Sequence, residues 1–437
     1  MPLRILIIGA GVAGPALATM LLRSPSASYS ITIIERAPHL RTGGQQVDLR
    51  AQGIPIIKRM GLLPAIQARC QNEKGLAFVD THGVVKAMAG RNDTGSGPQG
   101  FTSEFEIMRG DLVQVLVEES LAAARRLRGE EAGEVLRYEF GKHATHLVHE
   151  GDVVRVTLSD GTEAEFDLVV GADGQASRTR RMLFGEEASR AAFRSIGVYS
   201  ALFNIPRDPA EEDVFVAKMY LAPGKRWVAT RTGALRSTQA SLSTMAPTEK
   251  LVSAMTEKGG DVDAQAAAWE EHFRGAGWQT ERVLDGLKAR GDFYAYHSGQ
   301  IKLDRWHKGR VVLVGDAGYC PSPNTGMGTT AALVGCYVLA GELAKHDNNV
   351  DAALQGYEDV LRPFIKEAQT IGFGMPGLFY WESAWAIWLV HLLLGTLVAL
   401  RIDKLLYRIM PEDNGGWEVP DYPKLNLGCC KGEAPLG

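Results

Sequence analysis

The stretch Arg310–Gly328, RVVLVGDAGYCPSPNTGMG, gathers residue types that can serve a redox cofactor. A β-branched apolar run ends at Gly315-Asp316. A Pro-rich loop follows, and Gly326-Met327-Gly328 opens a long apolar helix. An acid at a strand end can bind a polyol hydroxyl. A glycine-rich helix start offers N–H groups and a positive dipole end to an anion. Together these suit a flavin, with Asp316 toward its ribitol and the helix start toward the pyrimidine edge that turns negative on reduction. Alone, a strand–Gly-Asp–loop–helix segment is only moderately specific, so its weight depends on what else the chain carries.

A partner lies at the N-terminus. The apolar run Leu3–Ile8 leads into Gly9-x-Gly11-x-x-Gly14, then a helical stretch over Pro15–Arg23 and a second strand over Ser30–Glu35. Gly9 allows a tight turn, Gly11 lets backbone approach a pyrophosphate, and Gly14 lets the helix lie close to the strand. Glu35 ends the second strand, where an acid accepts hydrogen bonds from ribose hydroxyls. This context fits an adenine dinucleotide but does not separate FAD from NAD.

The elements between must bring these ends together. Gly-rich Arg41–Arg50 leads to a helix over Ile54–Met60, and Ile107–Leu116 reads as a helix with Arg109 at its start. Glu118–Glu131 reads as charged helix. Ala144–Phe166 alternates around two Gly turns as a β-meander and ends in the buried strand Leu168–Val170 before Gly171-Ala-Asp173-Gly174. From about Gly197 to Ser298 short alternating segments appear over Val198–Ile205, Val214–Leu221, Arg226–Thr230 and Gln239–Met245, with a helix at Ala264–Phe273. The expected fold class is α/β: a Rossmann-like nucleotide-binding domain with an inserted antiparallel-sheet domain and a C-terminal apolar helix. The boundaries drawn are 1–75, 105–190 and 298–370 for the first domain, 76–104 and 191–297 for the insert, and 371–437 for the extension.

Composition narrows the partners. A chain of 437 residues with 45% hydrophobic residues can bury two or three folded units. The net charge of -4, without a basic stripe, argues against nucleic acid. Five cysteines in no even ladder point to a reducing, cytoplasmic setting, and Cys429-Cys430 lacks zinc-site spacing. No metal site is expected. Leu3–Ile8 is too short for a signal peptide. Ala384–Leu400, AWAIWLVHLLLGTLVAL, is at the lower edge of a membrane span, so burial between units and membrane contact both stand as readings, with burial favoured. Oligomeric state is not legible.

Three motifs in order, Gly9–Gly14 with Glu35, Asp167–Arg180 (DLVVGADGQASRTR) and Gly315-Asp316, resemble the class A FAD-dependent monooxygenases of the para-hydroxybenzoate hydroxylase group. The resemblance runs from about Leu3 to Leu361. It looks closest to the tetracycline-inactivating and fungal biosynthetic members. Gly43-Gly44-x-x-Val47-Asp48-Leu49 resembles their loop beside the isoalloxazine, and Gly224-Lys-Arg226-Trp-Val a strand whose arginine faces substrate. The resemblance implies an FAD set of Gly9, Gly11, Gly14, Glu35, Arg36, Asp48, Arg109, Asp173, Asp316, Gly326, Met327 and Gly328. Within it Arg109 takes the pyrophosphate and Asp173 acts more indirectly. Pro323 would sit over the flavin face where oxygen reacts, Arg226 would orient the substrate, and Gln239 and Tyr296 are substrate candidates. The plainer alternatives are a surface arginine at Arg226, sheet packing for Tyr294 and Tyr296, a loop cap at Asp48, and solvated side chains for His297 and His307.

The implied reaction uses NADPH or NADH and O₂ to put one oxygen atom into an aromatic or polycyclic secondary metabolite through a C4a-hydroperoxyflavin. Hydroxylation, epoxidation and Baeyer–Villiger insertion share that route. A flavin reductase or dehydrogenase without oxygen transfer is the alternative. A non-catalytic escort scaffold is disfavoured by the complete glycine and acid set. The chain departs from the family at Gly318-Tyr319, Met327 and Thr330, where Ala-His, Gln and Asn are usual, which removes side-chain acid–base help there.

Overall fold

The structure is a computed structural model that describes residues 2–24, 28–41, 43–71, 73–90, 104–209, 215–231, 237–256, 261–288, 292–372, 374–402, 416–425 and 427. The expected strand start at Val214 and the pair Cys429-Cys430 lie outside these residues.

Leu3–Ile8 is the centre of a six-stranded sheet. It pairs in parallel with Tyr29–Glu35 on one side and Leu168–Gly171 on the other. Leu136–Phe140 extends one edge, and Val311–Leu313 followed by the antiparallel pair His307–Lys308 the other. The continuous apolar runs read in the sequence are what a parallel sheet covered on both faces requires. The helices Ala13–Arg23 and Gly328–Lys345 lie together on one face. The other is covered by the meander Ala144–Glu150, Val153–Leu158 and Glu163–Phe166, whose Val154, Val156 and Phe166 pack under Leu6 and Val169. The carboxyl ends of Leu3–Ile8, Leu168–Gly171 and Val311–Leu313 therefore point all three motifs to one edge.

The second sheet has seven strands, in the order Tyr294–Ile301, Phe193–Pro206, Ser237–Thr244, Arg226–Arg231, Ala217–Ala222, Gly75–Val79 and Val85–Gly90. One face is buried under Glu249–Thr256, Val262–Phe273 and Thr280–Leu287, with Trp269 and Phe273 packed against Phe203 and Val228. The other faces the nucleotide-binding unit. Three expectations change. The sheet is not purely antiparallel, because Ala217–Ala222 runs parallel to Gly75–Val79. The boundary drawn at 297 cuts through Tyr294–Ile301, one continuous strand shared by both units. Ile107 and Met108 are not helical: Glu106–Met108 pairs antiparallel with Gln46–Asp48, and the helix begins at Arg109 and runs to Arg128.

The apolar C-terminal segment forms the helix Ala384–Ala399. It is neither enclosed between units nor of membrane-spanning length: among the described residues no helix is long and apolar enough to cross a membrane. Ile387, Val390 and Leu394 pack on Leu76, Phe78 and Ala87, and a Cβ on Gly395 would come within 2.7 Å of the Lys86 carbonyl oxygen. The outer face leaves Trp385 70% and Trp388 64% exposed. His297 and His307 are half-buried and have partners. His297 stacks on Tyr199 and bonds Ser195, and His307 Nδ1 lies 2.9 Å from Glu358.

Candidate active site

Gly9 takes φ +118°, and a Cβ there would approach the Ala172 carbonyl oxygen to 2.5 Å. The first motif thus touches the second across a gap only glycine permits. A Cβ on Gly14 would lie 2.1 Å from the Gly9 carbonyl oxygen, the close strand–helix packing the fingerprint calls for. Gly11 faces Arg109, whose Nη2 stands 3.2 Å from where a Cβ would be. An arginine aimed at a glycine-rich helix start is a ready clamp for a pyrophosphate. Glu35 accepts hydrogen bonds from Ala10 N–H at 3.1 Å and Ala37 N–H at 2.9 Å, so it also holds the fingerprint loop in shape.

The second and third motifs are joined by Arg180, which is buried. It donates to Ser189 Oγ at 2.9 Å, to the Ala317 carbonyl at 2.8 Å and to the Gln175 carbonyl at 2.7 Å. Asp316 opens the short helical turn Asp316–Tyr319 beneath that anchor. Burial raises its carboxyl above the ordinary range, with the Cys320 contact and the Arg109 charge pulling the other way. Asp173 is held by bonds within the chain. Its oxygens accept from Ser177 Oγ, Arg178 N–H, Thr179 N–H and Thr179 Oγ1, so it caps the helix Arg178–Phe184 and shapes the cavity wall indirectly.

The Gly326–Gly328 start is also refined. Gly326 N–H bonds the Pro323 carbonyl at 3.1 Å and Met327 N–H bonds Thr325 Oγ1 at 3.2 Å, closing the turn Pro323–Thr325 on itself. Gly326, Gly328 and Pro323 line the cavity, and Met327 lies between them with its side chain on the core. Thr330, where the family has Asn, exchanges hydrogen bonds with the Arg50 backbone and ties this helix to the loop carrying Asp48. Asp48 itself is ion-paired to Arg50 on the cavity wall.

On the substrate side Arg226 turns away from the cavity. Its guanidinium donates to the His272 carbonyl at 2.6 Å and the Pro223 carbonyl at 3.1 Å and stacks over Phe273. Strand alternation explains this: Arg226, Val228 and Thr230 share the helix-covered face, and Trp227, Ala229 and Arg231 face the cavity. The arginine that meets the cavity is Arg231, five residues later, which sequence reasoning missed. Gln239, directly opposite Arg231 in the register, straps the Gly43–Asp48 loop: Nε2 donates to the Gly44 carbonyl at 3.2 Å and Oε1 accepts from Gln46 N–H at 3.4 Å. Tyr294 and Tyr296 stack with centroids 5.3 Å apart, and both line the cavity. Burial raises the Tyr296 hydroxyl well above its ordinary range. Met375, Phe379 and Tyr380, ahead of the C-terminal helix, close the same space.

Behind Arg231 lie two further residues not singled out in the sequence. Its Nη2 is 3.9 Å from Glu73 Oε1 and its Nη1 is 3.7 Å from Glu106 Oε1, with the two carboxyl side chains only 4% and 5% exposed. Gln46 Nε2 donates to Glu106 Oε2 at 2.5 Å. Glu106 borders the cavity.

The three motifs, Arg231, Gln239 and the tyrosine pair open on one continuous cavity of about 2260 Å³. A single ligand site is typically about 300–1,000 Å³, so this space takes an extended dinucleotide and a second molecule beside it. The glycine cradle facing Arg109, the acid at the end of the second strand and the half-buried Asp316 fit FAD. Gly9, Gly11, Glu35, Arg36, Asp48, Arg109, Asp316, Gly326 and Gly328 would hold it. Among the described residues no group of three metal-ligating side chains occurs.

Comparison with known proteins agrees. Residues 3–370 match the family described as FAD binding domain, and the chain belongs to this family of class A flavin-dependent monooxygenases. It is an FAD-dependent monooxygenase. Among its relatives, the FAD-dependent monooxygenase asL6 of Sarocladium schorii is 44% identical over 98% of this chain and 100% of that one. Monooxygenase CTB7 of Cercospora beticola is 35% identical over 96% and 97%. The crystal structure of the tetracycline destructase Tet(51) superposes with a TM-score of 0.74 at 27% identity, covering 97% of this chain and 100% of that one.

Proposed function

We propose that the protein uses NADPH or NADH and O₂ to insert one oxygen atom into an aromatic or polycyclic secondary metabolite. The observation that carries this reading is the continuity of the cavity from the Gly9–Gly14 cradle to a room walled by Trp227, Tyr294, Tyr296, Phe379 and Tyr380. Flat aromatic walls favour a flat, unsaturated ligand through offset and edge contacts. Relatives named for fungal monooxygenases and a destructase that takes tetracycline support the same substrate class.

Bound FAD supplies the redox chemistry. The chain's part is to position and to dry the site. Arg109 and the Gly11 backbone fix the pyrophosphate end. Asp316 fixes the sugar-alcohol end. Gln239 holds the Gly43–Asp48 loop against the cavity, so that loop is a fixed wall. The aromatic side chains exclude water, which a reactive oxygen species must be shielded from. A dinucleotide fingerprint occurs once, in keeping with a nicotinamide that visits and leaves.

The test is purification, FAD titration and a screen of phenolic and polycyclic metabolites for acceleration of NADPH oxidation, with products identified by mass. Gain of one oxygen atom by an accelerating compound is expected. Acceleration with all oxygen recovered as hydrogen peroxide for every compound would overturn the insertion reaction.

A further inference from the structure

Glu73, Glu106 and Arg231 come from three separate elements: the approach to Gly75–Val79, the start of Glu106–Met108 and the end of Arg226–Arg231. They meet where the strand pair beside the flavin loop abuts the substrate sheet. The charge count does not balance. One guanidinium faces two buried carboxyls, and the neighbouring Asp48 is already neutralised by Arg50. Two buried carboxylates against one guanidinium leave a negative charge uncompensated, which uptake of one proton relieves. Glu73 Oε1, buried, has no hydrogen-bond partner. Asp48 opposes Glu106 directly across the strand pair, and like charges in that position repel. Among the described residues the acids acting on Glu106 are Glu73 and Asp48, and the cation acting on it is Arg231. Burial and these negative neighbours push the Glu106 carboxyl up to about 8, with Arg231 opposing.

We propose that Glu73 and Glu106 share one proton and, with Arg231, form the site for an acidic hydroxyl of the substrate, a phenol or enol. The hydroxyl proton passes to the carboxylate of the pair, breaking one O–H bond and forming another. Both carboxyls are then neutral, and the substrate oxyanion takes over the Arg231 guanidinium. No charge enters or leaves the buried site, so the step avoids the cost of an unpaired buried ion. Arg231 and Glu106 reach the cavity and touch substrate, and Glu73 is a positioning residue behind them. An anionic ring oxygen makes its ring carbons electron-rich, as oxygen insertion requires. The inference deepens the substrate reading above and rests on it.

The probe is 4-nitrophenol, whose phenolate has its own absorbance, added to the FAD-loaded protein without reductant. At a pH where the free probe is mostly neutral, the bound probe is expected to absorb as phenolate. Calorimetry in buffers of different ionisation enthalpy is expected to show no net proton release. In Glu73→Gln/Glu106→Gln the probe still binds as phenolate, and about one proton per probe now appears in the buffer. Arg231→Met weakens binding at least tenfold. Because the double variant can fail to fold, infrared difference spectra of wild type and Glu106→Gln at neutral pH stand beside it. The band of a protonated carboxyl is expected in the first and absent in the second. A probe that stays neutral or does not bind, proton release by wild type, or no protonated carboxyl in wild type overturns the proposal. Flavin content and NADPH oxidation of the same preparation report separately on the monooxygenase reading.

Discussion

Replacing Arg180 by Met tests how the second and third motifs are held in register. The guanidinium is buried and makes three charge-assisted bonds, to Ser189 Oγ, the Ala317 carbonyl and the Gln175 carbonyl. Each such bond contributes about 1.5–3 kcal/mol, or roughly 5–9 kcal/mol in all. Burying the charge costs several kcal/mol, visible here as the downward shift of the arginine by desolvation, and methionine recovers that cost. The net loss expected is about 3–5 kcal/mol, because two carbonyls are left buried without donors. The Ala317 carbonyl follows Asp316 directly, so the variant should also lose FAD affinity by at least about tenfold, the equivalent of about 1.4 kcal/mol. Urea unfolding followed by circular dichroism gives the first quantity, and quenching of flavin fluorescence on titration the second. Arg180→Lys should recover part of the stability, since an ammonium keeps the charge but spans fewer of the three acceptors. A loss below about 1 kcal/mol with unchanged FAD affinity would refute the role of Arg180 as the joint between the motifs.

Gly9→Ala adds a Cβ 2.5 Å from the Ala172 carbonyl at a positive φ, and should cost about 2–5 kcal/mol and most of the FAD occupancy, measured by melting and flavin content. Glu106→Gln should flatten the pH dependence of stability. The carboxyl is held at about 8 in the folded chain against an ordinary value of about 4.3, so the folded state binds more protons between the two. This stabilisation is complete below the lower value and is lost as pH rises through the upper one. Melting temperatures from about pH 5 to about pH 9 should therefore fall more steeply for wild type than for the variant, and parallel curves would count against the raised carboxyl. Arg226→Ala should lower stability by about 1–3 kcal/mol through the lost His272 and Pro223 carbonyl bonds and leave KM for an accepted substrate within about twofold. A KM rise tenfold or more would restore Arg226 as a substrate contact.

The cofactor side was legible because backbone constraints leave marks in residue type. Gly9 and Gly14 are glycines because a carbonyl occupies the space of a Cβ, and such positions read directly. The parallel sheet was legible from uninterrupted apolar runs. The substrate side was not, for reasons of parity and burial. RWVATR carries an arginine at each end on opposite faces of one strand, and nothing local says which face meets the cavity. Asp173 and Met327 sit inside recognisable motifs, yet their hydrogen bonds are satisfied within the chain, which only the fold reveals. Glu73 and Glu106 carry no local mark in the sequence. Their meeting depends on the pairing of Gln46–Asp48 with Glu106–Met108, two segments read as loop and helix start.

The central claim is that FAD held at the Gly9–Gly14 end of the cavity serves oxygen transfer to a molecule held at the Arg231 end. The direct measurement is a single turnover of FAD-loaded protein with NADPH, an accelerating phenolic substrate and isotopically labelled O₂, followed by mass analysis. One labelled oxygen atom in the product is expected, and its yield should fall in Arg231→Met while flavin content stays unchanged. Consumption of NADPH with the label recovered only as hydrogen peroxide, or product oxygen derived from water, would contradict it.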